Sequence, residues 1–214
     1  MIIRKTKAFS RGPFAVIDIG SSKICCLIGE SDEVNGVRLL GHGTHASSGL
    51  RNGEVSDLES LSRVIGKAVQ TAEQEAEVEI QSATVVFSGG MPISSIKTQS
   101  IRLSDAIVRR RDINRMMVRR DNDSIPENYQ PMHLQTIQFN LDDVRGILDP
   151  VGMRGLKLSA DYTLVCGLRT SLENVREALA INHLETERFL HSAYAAGLSC
   201  LSKEERELGS VIVD

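Results

Sequence analysis

With 214 residues, 41% of them apolar and 25% charged, the chain has material for one large domain or two small ones and the balance of a globular protein. A formal net charge of −3 argues against a dedicated nucleic-acid binder, and no run approaches the roughly 20 apolar residues of a membrane span. Four cysteines (Cys25, Cys26, Cys166, Cys200) form no CxxC pair and the histidines are scattered, which fits buried reduced thiols of a cytosolic protein better than a metal site.

Residues 1–12 are basic but carry no apolar core, so they are not a secretory signal; residues 1–13 read as a mobile leader. The chain then enters Phe14-Ala15-Val16-Ile17-Asp18-Ile19-Gly20-Ser21-Ser22-Lys23-Ile24-Cys25-Cys26-Leu27-Ile28. Two apolar, β-rich runs around a polar turn predict a hairpin. The first run is apolar almost throughout and belongs in the middle of a sheet. Asp18 lies near its end, and Gly20 permits a sharp turn and close approach. Ser21, Ser22 and Lys23 add two hydroxyls and an ammonium. Such a set suits a phosphate chain, with Asp18 holding a metal-bound water. A Gly-Ser-Ser turn between strands is also commonly only a turn.

Residues 37–45 predict a third strand and 47–53 a Gly/Ser/Asn loop. Ser56-Asp57-Leu58-Glu59 predicts a capping box with Ser56 as the cap. Leu58, Leu61, Ile65, Ala68, Val69, Ala72 and Ala76 then recur at helical spacing over roughly five turns. The acidic end of this helix (Glu73, Glu75, Glu77, Glu79) opposes the helix dipole and predicts a frayed last turn. Residues 83–88 predict a strand closed by Gly89-Gly90.

The character changes after Pro92. A polar alternating strand (93–103), a short helix around Ile113, Met116 and Met117, a loop (121–131), a second alternating strand (132–141) and the tight Pro/Gly stretch 149–155 predict a β-α-β-β insert of about 70 residues, near the lower limit for its own core. Arg109, Arg110, Arg111, Arg115, Arg119 and Arg120 surround the helix without interleaved aromatics, the pattern of a solvated face. Residues 156–166 predict an extended run back into the first domain. A helix carrying Leu172, Val175, Ala178 and Leu179, a short strand at 188–190, a small-residue helix at 192–201 and a charged turn at 203–207 follow. Val211-Ile212-Val213-Asp214 repeats the pattern of Ala15-Val16-Ile17-Asp18 and predicts the first strand of a second half.

These segments together resemble the FtsA family of bacterial cell-division proteins, which are actin-like ATPases. Residues 15–23 are similar to the family's first phosphate loop, and 53–60 to the entry of its first long helix. Asp149-Pro150-Val151-Gly152-Met153-Arg154-Gly155 is similar to its Asn-Pro-x-Gly-x-x-Gly stretch, with Asp149 in place of Asn. Residues 204–214 resemble the approach to its second phosphate loop. The resemblance implies an α/β fold with an actin-like, ribonuclease-H-like mixed sheet and a small α+β inserted subdomain. It implies subdomain 1A begun by residues 1–90, subdomain 1C at 91–159, and 160–214 as the rest of 1A and the start of a second lobe. Asp18, Gly20, Ser21, Ser22, Lys23 and Asp214 are then the ATP-binding residues, Asp18 and Asp214 facing Mg2+ through water.

The family resemblance also implies self-association through 91–159, binding of FtsZ and of later division proteins such as FtsN, and a location at the inner face of the membrane reached by a C-terminal helix outside this sequence. With one wall of a two-lobed site, weak ATP binding and no turnover are expected. Two other classes stand beside this one. A small-molecule kinase of the same superfamily needs a base for its acceptor hydroxyl, and none stands out. A nucleotide-independent interaction module would use the insert alone.

Overall fold

The computed structural model describes residues 12–32, 36–118 and 125–213. Its elements run β1 (Phe14–Ile19), β2 (Lys23–Asp32), β3 (Gly36–Ala46), β4 (Leu50–Arg51), β5 (Glu54–Val55), α1 (Leu58–Ala76), β6 (Ser82–Phe87), β7 (Ile93–Arg102), α2 (Arg110–Val118), β8 (Tyr129–Leu141), β9 (Val144–Ile147), β10 (Lys157–Leu168), α3 (Arg169–Ala180), β11 (Glu185–His191), α4 (Ser192–Cys200) and α5 (Lys203–Leu208). They form two units: an insert, Ile93–Cys166, and a larger unit made of the chain on either side of it. The leader expected over residues 1–13 lies almost wholly outside the described residues.

In the larger unit one mixed sheet has the order β11-β6-β1-β2-β3. The apolar run β1 is central, as its composition predicts. It is antiparallel to β2, with Asp18 opposite Cys25, and parallel to β6, with Asp18 beside Val86 and Ile19 beside Phe87. β11 is parallel to β6, pairing His191 with Phe87. The three parallel strands β1, β6 and β11 therefore end along one edge. Ile17, Ile19, Ile24, Cys26, Ile28, Val85 and Phe87 are inaccessible to solvent or nearly so. Burial, with Cys25 and Glu73 nearby, pushes the Cys26 thiol up to about 12, so it stays protonated. All four cysteines are free; Cys200, at the end of α4, is exposed rather than buried.

Helix α1 buries Leu61, Ile65, Ala68, Val69 and Ala72, the stripe read from the sequence. Its cap differs by one residue. Asp57, not Ser56, accepts the Ser60 amide (3.1 Å) and hydroxyl (2.6 Å). Ser56 is spent on the preceding loop, donating both its amide and its hydroxyl to Gly49 O. The acidic end is closed rather than frayed. Glu77 turns left-handed (φ 53°) and its amide bonds Glu73 O, while the Glu73 carboxylate takes the amide of Ile80 (2.8 Å). Asn182, beyond α3, donates to Ser62 O, Ser62 Oγ and Ala178 O, tying α3 to α1. Gly66 leaves room for it: a Cβ there would lie 2.4 Å from Asn182 Oδ1.

The insert is a four-stranded sheet of order β7-β10-β8-β9 with α2 on one side. The extended run at 156–166 leads back to the larger unit only at its end, at Gly167-Leu168. It is β10, paired with β7 from Lys157 opposite Arg102 to Cys166 opposite Ile93. The boundary expected at 159 therefore falls inside a strand whose pairing continues to Cys166. Strand β9, opposite the end of β8, was not visible in the sequence, and makes the order β-α-β-β-β. Alternate β10 residues Leu158, Ala160, Tyr162, Leu164 and Cys166 are buried.

Asp161, on the other face of β10, accepts from Thr98 Oγ1 (2.6 Å), Gln138 Nε2 (2.9 Å) and Asn140 Nδ2 (3.0 Å), joining three strands. These donors, helped by Arg145, hold its carboxyl below the ordinary value. A lowered folded-state pKa gives stability that is present above the unfolded value of about 3.9 and is lost as pH falls through the folded value. Asp161→Asn keeps one acceptor oxygen and replaces the other by an NH2, which faces either the Thr98 hydroxyl or the amide donors of Gln138 and Asn140. We expect it to lose about 1 kcal/mol at neutral pH, discounted for partial exposure, and to flatten the acid loss of insert stability. Urea unfolding at neutral pH and near pH 3 checks this; equal acid sensitivity in variant and wild type refutes it.

The tail departs from expectation twice. Residues 203–207 are not a turn but the start of α5, nucleated by a capping box in which Ser202 Oγ accepts from the Glu205 amide (3.2 Å) and the Glu205 carboxylate takes the Ser202 amide (2.8 Å). Residues 211–213 form no strand, and Val211 and Val213 are over 90% exposed. A strand forms only against a partner, and among the described residues none pairs with them.

Candidate functional site

The hairpin between β1 and β2 closes in a tight turn in which the Gly20 amide donates to Lys23 O (3.1 Å). Gly20 does not take the left-handed conformation expected of a sharp glycine turn. Its value is space: a Cβ there would sit 3.0 Å from Lys23 O. Ser21, Ser22 and Lys23 are exposed and Asp18 is half-buried. All lie at the edge where the parallel strands β1, β6 and β11 end, the edge at which open α/β sheets bind ligands.

The turn is braced from one side. Ser22 O accepts the Ser47 amide (3.0 Å), extending the β2–β3 ladder into the next loop. That loop is pinned at Gly49 O, and β4 and β5 pair as a small hairpin within it. Gly53 then meets Gly89 so closely that a Cβ on Gly89 would lie 1.9 Å from Gly53 O. Glu54, next in the chain, accepts the Gly90 amide (2.8 Å) on Oε1 and the buried Ser171 hydroxyl (2.5 Å) on Oε2. On the same edge, His191 Nδ1 accepts the Ala193 amide (3.3 Å) and caps α4.

The structure thus brings Asp18, Gly20, Ser21, Ser22 and Lys23 together. Asp214 lies outside the described residues. Glu54, Gly90, Ser171 and His191 were not singled out as site residues. Glu54 and Ser171 are 117 positions apart, and no local pattern links them. Among the described residues no group of three or more His, Cys, Asp or Glu side chains could ligate an ion directly. For an anion the fit is better: an open glycine turn, two hydroxyls and one lysine, with no carboxylate in the turn itself.

A mixed, ribonuclease-H-like sheet with helices and a small α+β subdomain inserted into it make an actin-like fold. The same fold occurs in the PilM-PilN type IV pilus biogenesis complex, with TM-score 0.55 at 15% identity over 89% of this chain and 50% of that one. Residues 89–166 match the SHS2 domain inserted in FtsA. "Cell division protein FtsA" of Agrobacterium fabrum is 34% identical over 210 residues, 94% of this chain and 47% of that protein. Its counterparts in Pseudomonas aeruginosa and Escherichia coli are 31% and 26% identical over 92% and 97% of this chain. The chain belongs to the FtsA family of cell-division proteins, and it spans about half the length of the curated relatives it matches.

Proposed function

We propose that the turn of Gly20, Ser21, Ser22 and Lys23 holds the phosphates of ATP and that Asp18 holds Mg2+ through water, with Asp214 the first residue of the opposing loop. The observation that carries this reading is the open glycine-serine-lysine turn at the C-terminal edge of three parallel strands, behind a carboxylate on the central one. When bound, ATP would supply the terminal phosphate whose presence or loss gates assembly. The chain's own residues bind and orient it. No turnover is expected from this half alone.

In the complete protein this reading gives a nucleotide-gated component of the division septum. It would anchor FtsZ to the membrane at the inner face of the cell, with the SHS2 insert contacting neighbouring FtsA subunits and later division proteins such as FtsN. Membrane attachment would lie elsewhere: among the described residues no helix is long and apolar enough to cross a membrane.

Calorimetric titration of this chain with Mg-ATP, beside Lys23→Ala, tests the site. One of two clamps is expected to bind near the millimolar range, worth about −4 kcal/mol, and the variant to bind about tenfold more weakly. Equal binding by the two would refute the turn as a phosphate site.

A second reading, an interaction module that needs no nucleotide, is favoured by one observation. Val144, Leu148, Val151, Met153 and Leu156 of the insert are all more than a third exposed. Of the arginines around α2, Arg109 and Arg111 are engaged, both pairing with Asp105. On that reading partner capture persists when Lys23 is changed.

A further inference from the structure

The chain crosses from the larger unit into the insert and back through two short stretches, at Gly90-Met91-Pro92 and at Gly167-Leu168. Both are held at the larger unit's side. The Leu168 amide donates to Gly90 O (2.7 Å), so the outgoing and returning chains are joined directly. Gly90 (φ 83°) and Met91 (φ 42°) are both left-handed, a conformation that a side chain such as that of Met91 adopts only when its surroundings enforce it. Glu54 holds the first of these two residues. One carboxylate oxygen takes the Gly90 amide and the other takes the hydroxyl of Ser171, in the first turn of α3 just after the returning chain. The backbone contact between Gly53 and Gly89, which admits no side chain on Gly89, is what lets so short an acid reach both.

We propose that Glu54 is a positioning residue that latches the two chain crossings of the SHS2 insert at the larger unit's side, holding the outgoing chain at Gly90 and the first turn of α3, just after the returning chain, on one carboxylate. A carboxylate suits the post because it presents two acceptors about 2.2 Å apart to two donors that the fold delivers from positions 36 and 117 residues away. The assignment does not depend on what binds the turn. A latch predicts a local effect: breaking it frees Gly90 and Leu168 while the sheet behind them is untouched.

The test is single-amide hydrogen exchange on the whole chain. In Glu54→Ala the Gly90 and Leu168 amides are expected to exchange about tenfold faster or more, with Ile17 and Ile24 unchanged. Glu54→Gln keeps the acceptor for Gly90, and the Ser171 hydroxyl can accept from its NH2, so it is expected to restore most of the protection. Ser171→Ala, which leaves Glu54 in place, is expected to speed Gly90 about threefold and covers the case in which Glu54→Ala folds poorly. Unchanged exchange at Gly90 in both Ala variants overturns the latch. So does an acceleration spread evenly over β1 and β2, or a failure of Glu54→Gln to rescue.

Discussion

Gly43→Ala is expected to cost the larger unit about 3 kcal/mol and to lower its melting temperature by about 10 °C. The reason is the distance between a strand and a helix. β3 lies against α1 with no side chain between them at two positions. A Cβ on Gly43 would sit 2.0 Å from Ala68 O, and one on Gly41 would sit 2.3 Å from Ala72 O and 2.6 Å from the Ala76 amide nitrogen. The obstacles are backbone atoms of a regular helix, not the tips of flexible side chains. Relief therefore needs α1 to lift off the sheet, and α1 also carries Leu61, Ile65 and Ala68, all fully buried. Overpacking of this kind takes a large share of the 5–15 kcal/mol by which whole domains are stable. Far-UV circular dichroism melts of Gly43→Ala beside Leu39→Ala, an exposed residue of the same strand, make the comparison. The control is expected to change stability by less than about 0.5 kcal/mol. A Gly43→Ala chain that melts with wild type would mean that β3 and α1 are not in this contact in solution.

That packing also shows what a linear sequence hides. The stripe of α1 is periodic, so Leu61, Ile65 and Ala72 were legible as a buried face. The glycines it meets on β3 are legible only once strand and helix are brought together. The cap moved from Ser56 to Asp57 for the same kind of reason. Both residues qualify locally, and the choice falls to Gly49 O, seven residues back, which claims Ser56. The β1–β2 hairpin, with its apolar strands and polar turn, carried its fold and most of its candidate site in one stretch. Glu54 and Ser171 gave no such signal, because their pairing is made by chain crossings on either side of an insert. The tail shows a third limit. Residues 211–213 have the composition of a strand, but composition gives only a propensity, and pairing needs a partner.

Leu158→Ala is expected to unfold the SHS2 insert and leave the larger unit folded. Leu158 is fully buried on β10, among Ile101 and Leu103 around β7, Val108, Ile113 and Met116 at α2, and Phe139 and Leu141 on β8. Replacing such a leucine by alanine costs about 3–4 kcal/mol, the transfer of the lost methyl groups plus the cavity they leave. A core in a unit this small rarely supplies more than about 3–5 kcal/mol. The cavity thus removes most or all of what holds the insert together, whereas the larger unit keeps its own buried set of Ile17, Ile19, Ile24, Leu61, Leu172 and Leu179. Hydrogen exchange separates the two outcomes. Loss of protection across β7, β8 and β10, with β1, β2 and α1 still protected, is the expected result. Unchanged protection in β10 would show that the core does not rest on Leu158. Loss in both units together would show that they fold as one cooperative block. The experiment also decides where the insert ends. Were its boundary at 159, the amides from Ala160 to Cys166 would follow the larger unit. The pairing of β10 with β7 through Cys166 requires them to follow Leu158.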